Sequence, residues 1–193
     1  MRGKTYIVAH RRRRKGLTDY KQRLKLLKSG KLRFVVRRTT NNVTCQMVEY
    51  SQKGDKTLVS VNSKDVIKLG WKGNPGNLPG AYLVGLLCGQ MAGKKKVKDA
   101  VLDTGLYVST PGSRIYSALK GVVDAGIQIP HSEEILPKDE RLNGTHVAEL
   151  AKKLKTENPT EYKNRFSLYL KNKLNPEDLP KHFDEIKNKI LKK

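Results

Sequence analysis

The sequence predicts an α/β protein, with a mixed sheet of a three-stranded antiparallel meander plus parallel strands, packed with helices. A basic N-terminal arm and a helical C-terminal extension flank it. Three observations carry this. Apolar residues recur at every second position between Leu32 and Asn62, and from Gly80 onward the period lengthens to that of helices separated by short apolar runs. The first 38 residues hold fifteen Lys or Arg against one acid, Asp19.

Positions 1 to 16 offer only Tyr6, Ile7 and Val8 as an apolar island, so they read as an extended tail. From Thr18 a helix is signalled, with Thr18 as N-cap, Asp19 at the positive end of the dipole and Gly30 as terminator. Tyr20, Leu24 and Leu27 form one stripe of that helix and Lys21, Lys25 and Lys28 a neighbouring one. Three alternating runs follow, through Leu32, Phe34 and Val36, then Val43, Cys45 and Met47, then Thr57, Val59 and Val61. Turn chemistry joins them at Thr39 to Asn42 and Ser51 to Asp55.

A short helix is expected over Ser63 to Leu69, then a loop, GWKGNPGNLPG, in which Pro79 is placed to open the next helix. That helix, Gly80 to Ala92, is apolar nearly all round and should be buried on the sheet. A strand at Val97 to Leu102, a loop from Asp103 to Ser113, a helix through Ile115, Leu119, Val122 and Val123 and a last strand at Ile127 and Ile129 imply parallel additions to the meander. Past Pro130 an acidic link precedes three amphipathic patterns, centred on Val147 to Leu154, Tyr162 to Leu170 and Leu179 to Ile190. The chain therefore divides into an arm and helix (1–31), an α/β core (32–130) and a helical extension (131–193).

The formal net charge is +22 over 193 residues, enough to repel a compact chain unless a partner supplies opposite charge. Arg11, Arg12, Arg13, Arg14 and Lys15 are consecutive, and such a run gains most by releasing counterions from phosphate. With Arg2 and Lys4 they make a nucleic-acid-binding arm the expected reading, continued by Lys21, Lys25 and Lys28. The start of the chain lacks the apolar stretch of a secretory signal behind its charges and no run approaches the length of a membrane span, so a soluble intracellular protein is expected, without a membrane or small-molecule partner. Cys45 and Cys88 lie far apart without metal spacing and read as buried thiols.

Enzymatic and metal signals are weak, and neither catalysis nor a cofactor is expected. Gly89, Gly93 and Lys94 miss the phosphate-loop spacing by one residue, and Lys95 stands where that motif needs Ser or Thr. Gly85, Gly89 and Gly93 instead recur every four residues along one face, which suits close packing of helix on strand. Asp65, Asp99, Asp103 and Asp124 would have to converge to build a metal-dependent nuclease, and spacing does not assemble them. A DNA-compacting protein is the other competing class.

Two loops suit RNA backbone and 2′-hydroxyl contacts. GWKGNPG presents Trp71, Lys72, Gly73 and Asn74, with Trp71 read equally as a stacking surface or a core residue. STPGSR presents Ser109, Thr110 and Ser113 ahead of Arg114, whose guanidinium could fork onto a phosphate or base edge, or else lie on the helix surface or pair with Asp103.

The runs TDYKQRLKLLKSGKLRFVVRRTTNN, DVIKLGWKGNPGNLPGAYLVGLLCG and AVLDTGLYVSTPGSRIYSALKGVVDAGIQIPHSEEILPKDERLNGTHV closely resemble the 5S-rRNA-binding large-subunit ribosomal protein family, the universal eighteenth protein of that subunit. The likeness covers about Thr18 to Val147. The Trp-Lys-Gly-Asn-Pro-Gly and Thr-Pro-Gly-Ser-Arg loops resemble its archaeal and eukaryotic branch, and the chain length is that of the archaeal members. The resemblance implies a cytoplasmic ribosomal constituent without catalysis, bound to 5S rRNA in the central protuberance. Its partners would be 5S rRNA, large-subunit rRNA and neighbouring large-subunit proteins. By the same resemblance, rRNA contacts fall on Arg11 to Lys15, Tyr20, Lys21, Arg23, Lys72, Asn74 and Arg114. Arg33, Arg37, Lys94 and Lys95 complete the candidate set as further cations near them.

Overall fold

The computed structural model describes residues 7–192, so Arg2 and Lys4 lie outside the described residues. Strands β1 (Arg33–Arg38), β2 (Val43–Glu49) and β3 (Lys56–Asn62) form the antiparallel meander, and β4 (Val101–Asp103) adds to β1 in parallel, in the order β3-β2-β1-β4. The β1–β2 register sets Phe34 opposite Met47 and Val36 opposite Cys45. With Val43, Val59 and Val61, these side chains make one fully buried face. The β2–β3 register slips between Met47 and Val48, and both are buried on opposite faces, Met47 in the core and Val48 beside Arg33 on the other side of the sheet.

Two helices precede the sheet and two lie between β3 and β4. Helix α1 (Arg11–Arg14) and α2 (Tyr20–Leu27) come before β1; α3 (Ser63–Lys68) follows β3 and leads into α4 (Leu78–Lys94). Asn62 caps α3 reciprocally with Asp65, and Asn77 caps α4 through Gly80 N–H. Helix α4 is buried on nearly all sides because the sheet, α5 (Arg114–Asp124) and the last helix each cover part of it.

The α4–α5 crossing has no room for side chains at three glycines. A Cβ on Gly85 would stand 2.0 Å from the Ala118 carbonyl oxygen, one on Gly121 2.2 Å from that of Tyr82, and one on Gly89 2.5 Å from Ala125 Cβ. Gly93, third in the sequence spacing, meets nothing.

Several boundaries depart from the sequence expectation. The arm is not extended throughout: residues 11–14 close one helical turn, and the chain folds back so that His10 lies against Tyr20, 5.1 Å between rings, and Arg12 Nε donates to Thr18 Oγ1. With its hydroxyl so engaged, Thr18 is not the N-cap. Asp19 takes that place, accepting from Lys21 and Gln22 N–H. The strand expected at Val97 starts only at Val101, because Lys95 and Lys96 form a turn in which Lys96 has φ +60°. Ile127 to Ile129 forms no strand but a single parallel bridge, Asp99 to Gln128, bounded by the left-handed Gly126 and by Pro130.

The C-terminal patterns resolve into α6 (Asp139–Asn143), α7 (Thr145–Glu157), α8 (Pro159–Arg165), α9 (Ser167–Lys171) and α10 (Leu179–Leu191), with a break at Phe166 inside the second pattern. Leu179, Phe183, Ile186 and Ile190 of α10 join the main core, while Ala151, Tyr162 and Phe166 make a small satellite core.

Candidate nucleic-acid interface

The face of the sheet turned away from α4 and α5 is not covered by a helical layer. Helix α2 and the arm stand across it and leave a groove of about 830 Å³, floored by Val35, Arg37, Gln46 and Val48 and rimmed by Arg12, Tyr20, Arg23 and Tyr107. An ion-pair chain holds its shape. Arg23 forks onto Asp55 at 2.8 and 2.9 Å, and Arg33 bridges Asp55 (2.7 Å) to Asp103 (3.1 Å). Arg37 reaches the other Asp103 oxygen at 2.9 Å and donates to the Asp103 and Val36 carbonyls.

Strand alternation explains the chain: Arg33 and Arg37 are two pleats apart on the same face, and Asp103 follows the two β4 residues that pair beside Arg33 and Phe34. The hydrogen bonds from Arg23, reinforced by Arg33, hold the Asp55 carboxyl below the usual carboxylate range, and Asp55 in turn raises Arg23.

Among the candidate contacts, this geometry separates exposed cations from engaged ones. Arg11, Arg12, Arg13, Arg14 and Lys15 are exposed together on the helical turn, and Lys21, Lys25 and Lys28 are exposed along α2. Tyr20 is half-buried against His10. Arg33 is 3 % exposed between two carboxylates, so it organises the groove rather than facing solvent. Arg23 and Arg37 keep partly exposed edges while paired.

A second group converges at the other end of β1. Arg114 does not pair with Asp103, whose oxygens are taken by Arg33 and Arg37. Its Nη1 donates to the carbonyls of Thr39 (3.0 Å), Thr40 (3.2 Å) and Gly76 (2.8 Å). One guanidinium thus ties the β1–β2 turn to the GWKGNPG loop at the start of α5. Burial and the nearby Arg38 charge push its pKa down. Beside this tie the segment Val108 to Pro111 projects outward, with Val108 82 % exposed and Thr110 in solvent, while the hydroxyl of the exposed Ser109 shares a hydrogen bond with that of Tyr116. Ser113 Oγ is buried with no hydrogen-bond partner among the described residues.

Trp71 is 2 % exposed and stacked on His182, so of its two readings the core one describes it and its ring offers no face to a base. Gly73 is buried because Trp71 and Leu179 fill the place of a Cβ. Asn74 turns its side-chain oxygen to Gly76 N–H and its carbonyl to Trp71 Nε1. Lys72 alone in this loop points its side chain outward.

Lys94 and Lys95 lie at the opposite end of α4, whose 17 residues span about 25 Å. Lys95 Nζ donates to the Leu58 carbonyl on β3. They do not join the loop cluster.

The four aspartates of the nuclease alternative are dispersed. Asp65 caps α3, Asp99 pairs with Lys31, Asp103 sits in the groove chain and Asp124 accepts from Tyr82. Among the described residues no cluster of three or more His, Cys, Asp or Glu is placed to hold a metal ion. Cys45 and Cys88 are buried thiols, Cys88 pushed up to about 12 by burial. No described helix is long and apolar enough to cross a membrane.

These features define a class: a cationic α/β protein whose grooved sheet face, helical arm and projecting loops suit a polyanion. A family model described as ribosomal large subunit proteins 60S L5 and 50S L18 matches residues 4–99 and 89–132. The large ribosomal subunit protein uL18 of Methanococcus maripaludis is 55 % identical over 186 residues, 96 % of this chain and 96 % of its own length. The chain belongs to this family, in its archaeal form, and is a structural constituent of the large ribosomal subunit rather than an enzyme. As a ribosomal component it resides in the cytoplasm, with rRNA and other ribosomal proteins as partners.

Proposed function

We propose that this protein binds 5S rRNA and attaches it to the large-subunit rRNA in the central protuberance. The observation that carries the reading is the division of charge. Residues 1–130 hold 26 Lys or Arg against 7 acids, whereas residues 131–193 hold 14 against 11. The excess faces outward where the structure has backbone to offer as well: the Arg11–Arg14 turn, the lysine stripe of α2, and the Lys72 and Ser109–Thr110 loops. Phosphate neutralisation by the arm and α2 supplies affinity, and the loops, rigidified by Arg114, supply hydroxyl and amide groups for shape-dependent contacts.

We include Arg33 and Trp71 as residues that shape this surface and leave direct contact to Arg11 to Lys15, Lys21, Lys25, Lys28, Lys72, Ser109 and Thr110. A competition gel tests the reading. Labelled 5S rRNA should stay bound under excess tRNA or duplex DNA at physiological salt; displacement by either one equal to that by unlabelled 5S rRNA would leave only a general polyanion binder.

A further inference from the structure

The GWKGNPG loop is gripped from outside the α/β core. Lys72 N–H donates to His182 Nε2 on α10 at 3.1 Å, and the Lys72 carbonyl accepts from Asn172 Nδ2, just past α9, at 2.9 Å. Trp71 is stacked on the same His182 ring, 5.2 Å between centroids and 12° from parallel. Asn77 Nδ2 approaches Tyr169 Oη at 3.4 Å, and Leu179 fills the space beside Gly73. Both polar groups of the Lys72 backbone are thus satisfied by side chains about a hundred residues away, while its own side chain is exposed and makes no ion pair among the described residues.

We propose that His182 and Asn172 are positioning residues for rRNA binding, which fix the Lys72 backbone so that its ammonium leaves the loop in one direction, toward phosphate. This rests on the reading of Lys72 as an rRNA contact, and it assigns a role to the C-terminal extension. Preorganisation is the physical content, since a lysine on a fixed backbone loses less freedom on binding than one on a mobile loop.

The latch carries a protonation requirement. With Lys72 N–H as donor, Nε2 must be unprotonated and the ring proton sits on Nδ1, which faces Glu185 Oε2 at 3.5 Å. The groups facing the ring are Trp71, Glu185, Lys72 and Lys189. Burial dominates and lowers the histidine pKa, Glu185 opposes, and Lys72 and Lys189 lower it further. Because the folded pKa lies below the unfolded one, the latch is intact above about pH 6.5 and is lost as pH falls through the folded value.

The full chain is titrated with a 5S rRNA transcript over a salt series at pH 7.5 and 5.5, with melting temperatures recorded for every variant. Lys72→Ala should lower affinity about two- to fivefold, the range of an exposed charge pair, and reduce the salt slope by about 1. His182→Phe, which keeps the stacked ring and loses the acceptor, should lower affinity at pH 7.5 to a similar extent. The double variant should be no weaker than Lys72→Ala alone. His182→Gln, which restores an acceptor, should recover part of the loss. As pH falls below about 6.5 and through the lowered histidine value, the gap between wild type and Lys72→Ala should narrow, and in the His182→Phe background it should be small throughout.

If Lys72→Ala binds as wild type with an unaltered salt slope, the reading of Lys72 fails and the proposal with it. If Lys72→Ala is weakened but His182→Phe is not, the reading stands and positioning is overturned. Additive losses in the double variant, tracking a fall in melting temperature, would also overturn it by making His182 merely structural.

Discussion

Replacing Arg114 by alanine tests how the loop cluster is built. The sequence offered Arg114 as a direct RNA contact, which would leave stability untouched on its removal. The structure spends the guanidinium on three backbone carbonyls, those of Thr39, Thr40 and Gly76. Hydrogen bonds from a charged donor are worth about 1.5–3 kcal/mol when buried, and partial exposure here brings the expected loss to about 1–2 kcal/mol. For a chain of this size that is about 2–8 °C in melting temperature. Arg114→Lys should recover less than half, since an ammonium lacks the planar spread that reaches carbonyls on two loops. Differential scanning calorimetry of both variants, alongside 5S rRNA affinity, separates the roles. A melting temperature equal to wild type with a large loss of affinity would refute the clamp and restore the direct contact.

Gly85→Ala should be severely destabilising, at least about 3 kcal/mol in urea unfolding, because its Cβ would stand 2.0 Å from the Ala118 carbonyl oxygen and backbone must move; a midpoint equal to wild type would refute the close crossing. Gly93→Ala, with nothing near, should be neutral or stabilising by the same measurement. Asp55 has a folded pKa below its unfolded value of about 3.9, so its stabilising contribution is present above that pH and lost below it. Asp55→Asn should therefore flatten the fall in melting temperature between about pH 4 and 2, and an unchanged acid limb would exclude the Arg23–Asp55–Arg33 chain. Changing Arg11, Arg13 and Arg14 to Gln should leave melting unaltered, as these side chains are exposed, while reducing the salt slope of 5S rRNA binding by about 2 to 3.

The meander was legible because its alternation, Phe34 and Val36 against Cys45 and Met47, is set by the pleat itself. The burial of α4 followed from its apolar composition and a close approach at Gly85 and Gly89 from their four-residue spacing, but the partner is helix α5 where a strand was expected, and Gly121, the reciprocal close approach on α5, carried no periodic signal. The strand expected at Ile127 failed because two β-branched residues between Gly126 and Pro130 can pair only once. Among the cations, sequence could not tell exposed from engaged. Arg33 and Arg37 look like Lys21 and Lys25 until Asp55 and Asp103, 22 and 70 residues past Arg33, are brought beside them. His182 was invisible as a partner of Trp71 for the same reason: the contact spans 111 residues, and no local pattern marks it.

The central claim is that the arm, α2 and the GWKGNPG loop form the face turned to 5S rRNA. Lysine acetylation of the full chain, quantified by mass spectrometry with and without bound 5S rRNA, tests it most directly. Lys15, Lys21, Lys25, Lys28 and Lys72 should be protected on binding, while Lys152, Lys163 and Lys181 of the extension, all exposed in the structure, should react at the same rate in both states. Protection of the extension lysines with undiminished reactivity along α2 would contradict it.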